Sequence, residues 1–568
     1  MKPSRLSSSG PELKPSYDVI VVGSGYGGGV AACRLSRAGL KVCVLERGRE
    51  LQPGEYPNSA LSLVEEIQVD LPINRVGRET AMFDLRVYDD INVAVGCGLG
   101  GTSLINAGLA FRPDPRLFDD PRWPAQIREA DREPYFQRAE AMLRPSVYPD
   151  SAPPTAKFAA LQRSATGIDG TFAKAPMLVN FDEPAGGLNH VGVPQAACVG
   201  CGDCISGCNY GAKNTVLMNY LPDAHRHGAE IFTEAKVTKL LRDSDGWRVL
   251  LTIGGTPSDG AGGQQTVTAR TVVLAAGTLG STEILLRSRT DDLPLSAALG
   301  RHFSGNGDMV GLAYNNDVPV NAIGFGGHEA AGREPVGPCS SGIVDARGGR
   351  AFEDGMIMVD GAIPGAFAIG LPALLASLSA ATGNDTDPGL ADGARELART
   401  LESQVAGAYS GAVYRTQVCL VVAHDDAQGE IILDGDRLNI RWPNAGRQAA
   451  LERADATMLA ATRALGGTYI SNPLWHELLG RKTITGHPLG GCVMADDARA
   501  GVVNHAGQVF SGDGGTQVHA GLYVMDGSII PRSVGVNPLL TIAAVAERCC
   551  TQMLLSLGIP DGPMGYTS

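Results

Sequence analysis

The stretch Tyr17–Gly48, YDVIVVGSGYGGGVAACRLSRAGLKVCVLERG, decides how this chain is read. Its apolar, β-branched start, Val19 to Val22, reads as a buried parallel strand. Gly23, Gly25 and Gly28 follow in G-x-G-x-x-G spacing, and Val30 to Ala38 recurs with a helical period. Gly39 closes that helix, and Lys41 to Leu45 reads as a second strand ending at Glu46. Each glycine has its own task. Gly23 permits the tight turn, Gly25 admits a pyrophosphate to the backbone, and Gly28 lets helix and strand pack closely. The helix N-terminus offers free N–H groups and partial positive charge to phosphate. Glu46, 18 residues beyond Gly28, is placed to accept hydrogen bonds from a ribose diol. A lone glycine motif is a weak signal. Strand, glycines, helix, strand and acid within about 30 residues make a specific one. The unit is a dinucleotide site, and the choice of dinucleotide rests on the remaining sequence.

The bulk properties narrow that choice. Net charge −13 and pI near 5.3 argue against nucleic acid as a partner, because phosphate contacts need clustered Lys and Arg. The 568 residues, 44% hydrophobic and 19% charged, suit a soluble globular protein of about two domains. Residues 1–16 hold neither the apolar core of a signal peptide nor a twin arginine, and read as a flexible lead-in. Twelve cysteines, scattered apart from one cluster, suit reduced thiols and a cytoplasmic location. The segment 361–384, GAIPGAFAIGLPALLASLSAATGN, carries no charge, but prolines, glycines and serines interrupt it. It reads as a buried or pocket-lining helix, with a lid touching lipid or a greasy substrate as the alternative. Ala394 to Leu401 reads as a polar-faced scaffold helix, and Ile431–Leu433 with Leu438–Trp442 as hairpin strands.

Four further runs bear on the ligand. VAVGCGLGGTSLINAGLAFRP, 93–113, brings backbone close to a ligand at Gly98 and Gly101 and adds polar groups at Ser103 and Asn106. TVVLAAGTLG, 271–280, is a strand that turns through Gly277 into a helix. TITGHPLGGCVMAD, 483–496, holds His487 in a loop bounded by glycine and proline, where an imidazole can face a cavity and take an alcohol proton. LYVMDGSIIPRSVGVNPLLTIAAVAER, 522–548, carries Asp526, Gly527, Asn537, Pro538 and Thr541. Together these runs resemble the signatures of the glucose-methanol-choline (GMC) oxidoreductases, flavoproteins that bind FAD, and in particular their cholesterol-oxidase-like branch.

The resemblance implies an α/β fold: a Rossmann-like FAD-binding domain plus an α+β substrate-binding domain built on an antiparallel sheet. The FAD-binding part would span 17–307, with substrate-domain pieces inserted around 50–90 and 115–200. The substrate-binding part would span 308–482, and 483–568 would return to the FAD domain with the active-site His and Asn. Gly98, Gly101, Ser103 and Asn106 would lie beside the FAD pyrophosphate and isoalloxazine, and the Val237 backbone beside the adenine. Gly277 falls in the family's second signature. Asp526 and Gly527 would contact FAD, Pro538 and Thr541 would lie against the isoalloxazine, and His487 and Asn537 would carry catalysis. Some relatives attach the flavin through a histidine in the first signature. Leu104 and Ile105 stand there instead, so FAD is expected to be non-covalent.

Two features stand apart. Cys198, Cys201, Cys204 and Cys208 have the C-x2-C-x2-C-x3-C spacing by which ferredoxins hold iron–sulfur clusters. In two-cluster ferredoxins, however, the fourth cysteine serves the other cluster and proline follows it, whereas Asn209 follows here. Structural thiols without metal are the favoured reading, with an iron–sulfur cluster and zinc as alternatives. Secondly, sterol oxidases of the family place a glutamate after a P-x-G-L motif to move a ring proton. The comparable stretch, Pro364-Gly-Ala-Phe-Ala-Ile, has no carboxylate, so isomerisation is not expected. The expected function is FAD-dependent oxidation of a bulky apolar or sterol-like alcohol, with oxygen or another electron acceptor and optional peripheral contact with a membrane. The alternatives are a cluster-bearing dehydrogenase subunit with a protein or quinone acceptor, and a lyase with redox-silent FAD.

Overall fold

The structure is a computed structural model and describes residues 4–8, 10–254 and 263–561. The opening unit forms as its spacing predicts: strand Ser16–Val22, helix Tyr26–Arg37, strand Val42–Leu45. The two strands pair in parallel, Val19 opposite Val42 and Val22 opposite Leu45. They lie inside a nine-stranded sheet. Its parallel run is Glu230–Phe232, Val42–Leu45, Ser16–Val22, Gln264–Leu274 and Val518–Val524. Gln264–Leu274 is long enough to serve two partners along one edge. Its last residues pair with Leu522–Val524, and its first half joins an antiparallel meander with Gly246–Ile253 and Ala235–Asp243. The first helix and the last, Leu539–Ser556, pack together over this sheet, and both are largely buried.

The N-terminal lead-in is not loose throughout. Ser7–Ser8 adds an edge strand beside Ile231 and Phe232. The buried carboxylate of Glu50 accepts hydrogen bonds from the backbone N–H groups of Leu6 and Ser7 and from the Ser7 hydroxyl. That is a polar anchor, which a hydropathy reading does not register.

A second sheet of seven strands is antiparallel throughout. Six strands come from residues 309–471, and the edge strand Thr171–Lys174 comes from much earlier in the chain. Helix Ala156–Ser164 is fixed to it by a fully buried Lys157–Asp360 pair, whose carboxylate also accepts from the N–H groups of Ser341 and Gly342. The hairpin Glu430–Asp434 and Arg437–Arg441 forms as read, but outside this sheet. Ile431, Leu438, Ile440 and Trp442 bury instead against Leu279 and Phe303.

A third sheet, five-stranded, was not foreseen. In it Thr483–Thr485 runs parallel to Ile91–Val93, which carries the His487 loop to the second glycine-rich loop. The charge-free segment forms a 3₁₀ turn, Gly365–Gly370, and a helix, Leu371–Thr382. The expectation of a buried helix fails, because only Leu371, Pro372 and Leu375 of that helix are buried. The helix Leu390–Ala406 also departs from its polar-faced reading. Leu390, Leu397, Leu401 and Val405 face outward, with Leu390 99% exposed, while Arg399 turns inward to the carbonyls of Asn315 and Asn316.

Candidate active site

Gly23 and Gly28 make the tight turn and the close packing that their spacing implies. Gly23 has φ +94°, and a Cβ there would collide with the Ala275 carbonyl. A Cβ on Gly28 would strike the Gly23 carbonyl, so Gly28 closes helix against strand. Gly25 alone of the three has nothing within 4 Å of its Cβ position. It faces a cavity of about 570 Å³ that Glu46, Gly101, Asn106, Val237, His487 and Asn537 also border. Three helices, Tyr26–Arg37, Gly277–Ser288 and Leu539–Ser556, present their N-terminal residues to this cavity. The positive ends of their dipoles favour an electron-rich ligand.

Glu46 is buried, which raises the pKa of its carboxyl, and the hydrogen bonds it accepts oppose that rise. Its carboxylate accepts from the Ser24 N–H and hydroxyl, at 3.1 and 2.6 Å, and from the Gly48 N–H at 2.7 Å. The Ser24 hydroxyl in turn accepts from the Gly100 N–H at 3.0 Å. One serine thus ties the two glycine loops and the acid together, a role that the motif spacing did not disclose. Asn106 donates to the Tyr26 hydroxyl at 2.8 Å. Asp526 joins the helix Gly277–Ser288 to the C-terminal run: its carboxylate accepts from the Gly277 N–H, the Ser281 hydroxyl, and the N–H and hydroxyl of Ser528.

Not every expected residue borders the cavity. Gly277, Gly527 and Pro538 do, whereas Gly28, Gly98, Ser103 and Thr541 stand behind its wall. Ser103 shapes the loop there, donating to the Gly100 carbonyl and accepting from the Val216 N–H. The Thr541 hydroxyl is buried and unpartnered.

His487 links a carboxylate to an amide at the cavity. Nδ1 lies 2.8 Å from a carboxylate oxygen of Asp308, and Nε2 lies 3.1 Å from the amide nitrogen of Asn537. The other Asp308 oxygen accepts from the Thr485 hydroxyl and the Gly486 N–H, which orients the pair. With Nδ1–H donated to Asp308, the Nε2 lone pair faces the cavity and receives the Asn537 N–H. Oδ1 of Asn537 is buried with no partner. Such an orphan acceptor costs about 1–3 kcal/mol, and a bound hydroxyl or N–H would satisfy it. Asp308 was not singled out in the sequence. Its one local signal is a carboxylate standing directly before the apolar strand Met309–Tyr314.

Fold and cavity together define a dinucleotide-binding protein. The profile of the family described as GMC oxidoreductase matches residues 18–303 with its N-terminal part and 437–546 with its C-terminal part. The chain belongs to the GMC oxidoreductase family, whose cofactor is FAD. It is 29% identical to a cholesterol oxidase of Mycobacterium tuberculosis, over 95% of this chain and 91% of that one. It is 26% identical to a cholesterol oxidase of Acinetobacter baumannii, over 94% and 93%. It is 24% identical to a long-chain-alcohol oxidase of Arabidopsis thaliana, over 95% of this chain and 67% of that one. The crystal structure of pyridoxine 4-oxidase from Mesorbium loti shares the fold, with TM-score 0.56 and 16% identity, over 94% of this chain and 99% of that one. The residues present fit FAD. Gly25 is open to backbone approach, a buried carboxylate stands on the wall, and an unpartnered amide oxygen awaits a donor.

Proposed function

We propose that the chain oxidises a bulky apolar alcohol whose hydroxyl lies between His487 and Asn537, using FAD held without a covalent bond. The observation that carries this reading is the Asp308–His487–Asn537 chain of contacts, which ends on an unpartnered acceptor at the cavity wall. Asp308 fixes the imidazole and offsets positive charge on it. The substrate hydroxyl would displace the Asn537 N–H from Nε2, and His487 would take its proton there. Oδ1 or the amide N–H of Asn537 would orient the same oxygen. FAD, when bound, supplies the acceptor for the hydride that leaves the carbinol carbon. The protein's share is orientation and exclusion of water.

Similarity to cholesterol and long-chain-alcohol oxidases supports an apolar substrate, and with it oxygen as the acceptor. Absence of a carboxylate from Pro364 to Ile369 supports oxidation without isomerisation. The outward apolar residues Phe367, Ile369 and Leu374, beside the leucine stripe of Leu390–Ala406, support peripheral contact with a lipid surface. Twelve unpaired cysteines support a reducing, cytoplasmic location. The test is anaerobic reduction of the bound flavin by alcohols of graded size. Bleaching that is fastest with long-chain or sterol alcohols is expected. Flavin left oxidised by every alcohol would overturn the reading.

A further inference from the structure

The four clustered cysteines remain outside this function, and the structure gathers them. Cys198, Cys201, Cys204 and Cys208 all border one small pocket, closed by Tyr210 and Lys213. None is in a disulfide. Gly200 and Gly202, with φ +69° and +80°, coil the backbone so that the intervening Cys201 turns to the same pocket as its neighbours. The fourth cysteine is therefore not aimed at a second site, as it is in a two-cluster ferredoxin. Asn209, where such a protein has proline, has a different task. Its side chain accepts from the N–H groups of Gly54 and Tyr56 and donates to the Tyr56 carbonyl, so it docks the loop onto its neighbour.

Spacing of the sulfurs selects the group that they could hold. Tetrahedral zinc at about 2.3 Å from each thiolate needs sulfurs about 3.8 Å apart. Among the described residues, the side-chain triads whose ligand atoms lie within 4.8 Å of one another are acidic and include no cysteine. No three of these sulfurs are therefore gathered as one tetrahedral ion would need, while the C-x2-C-x2-C-x3-C spacing is the one that serves a cluster.

The charge at the pocket points the same way. Lys213 is buried, and its ammonium donates to the carbonyls of Leu104, Asn106 and Cys204 at 3.1, 2.6 and 3.1 Å. No carboxylate pairs with it among the described residues. A buried, unpaired ammonium is costly. A tetrathiolate iron–sulfur cluster carries net negative charge and would supply the missing counter-ion.

We propose that Cys198, Cys201, Cys204 and Cys208 ligate one [4Fe–4S] cluster, with Lys213 as its buried counter-charge. The same ammonium holds the carbonyl of Asn106, whose side chain borders the dinucleotide cavity. A one-electron group would then stand a single side chain behind the wall of that cavity.

The test is full-length protein purified and reconstituted without oxygen. About four irons and four acid-labile sulfides per chain are expected, with a paramagnetic signal after dithionite reduction. Cys208→Ser, at a partly buried position, should lose that signal and most of the iron while FAD content and far-UV circular dichroism persist. Cys339→Ser, a buried cysteine outside the pocket lining, should keep both. Iron at background with FAD present would overturn the proposal, as would one zinc per chain or two disulfides among the four cysteines. Cys208→Ser retaining full iron and the signal would overturn the assignment of the fourth ligand.

Discussion

At the dinucleotide cavity, buried polar groups turn toward a ligand, whereas on the helix Leu390–Ala406, Arg399, Asp392 and Ser403 turn toward the protein while Leu390, Leu397, Leu401 and Val405 face water. In the cavity, the orphan Oδ1 of Asn537 and the open backbone at Gly25 are features that a chain stable by itself would avoid. On the helical pair, Arg399 is satisfied by two carbonyls and by Asp317, and Asp392 and Ser403 are buried. The outward leucines forgo burial worth about 1.5–3 kcal/mol each. Both regions tolerate a local cost that another body could offset. For the cavity that body is a small ligand with donors, and for the helices an apolar surface.

The largest effect should come from the cavity. His487→Ala is expected to slow flavin reduction by about 10²–10⁴, the usual worth of a positioned acid–base group, while FAD content and Tm persist. Stopped-flow reduction beside a thermal melt checks this. Loss of FAD or of the folded state would make His487 a structural residue and erase the contrast.

Glu46→Ala should weaken FAD binding by about 1.5–3 kcal/mol for each charged hydrogen bond lost to the ligand, read by titrating FAD into apo-protein. Unchanged affinity would mean that the carboxylate only ties Ser24 to Gly48.

Leu397→Glu combined with Leu401→Glu should cut co-sedimentation with neutral lipid vesicles about tenfold or more, on the scale of one leucine's burial. Turnover of a soluble short-chain alcohol should not change. Equal partitioning of variant and parent would remove lipid as the covering surface.

The smallest effect concerns pH. Burial, followed by repulsion from Asp385, Asp392 and Asp387, raises the pKa of Glu396 to about 7. The folded value lies above the unfolded one near 4.3, so the proton is bound more tightly in the native helix. The stabilisation is full below about pH 4.3 and fades as pH rises through about 7. Amide exchange along Leu390–Ala406 should therefore be slower at pH 5.5 than at pH 8, beyond the intrinsic pH effect, and Glu396→Gln should abolish the difference. A difference that persists in the variant would place the titrating group elsewhere.

Where the chemistry is local, the sequence was legible. Gly23, Gly25 and Gly28 meet Glu46 within one βαβ unit, and no distant residue is needed to assign them. His487 and Asn537 were legible as loop residues beside proline, and the structure puts them 3.1 Å apart. Asp308 was not legible, because its partner lies 179 positions away and a carboxylate before an apolar strand does not name that partner. The helical pair misled for another reason. Amphipathic spacing says that a helix has two faces but not which one the protein takes, and Arg399 shows that the polar face can be the inner one. The hairpin 430–441 was legible as a local structure, but its packing against Leu279 and Phe303 was not, since strand patterns do not name their neighbours.

The cavity draws on residues 22 through 542, and its parallel sheet is finished by Val518–Val524, paired with Val272–Leu274 some 250 positions earlier. During synthesis, the ribosome therefore releases hundreds of residues before this cofactor site can exist. Nascent Gly25 and Glu46 wait beside an incomplete wall until Asp526 closes onto Gly277. Cofactor capture is thus a late event, and a chain cut short anywhere before residue 518 would emerge without its flavin. Bound flavin would report that synthesis had passed the closing strand and the helix behind it.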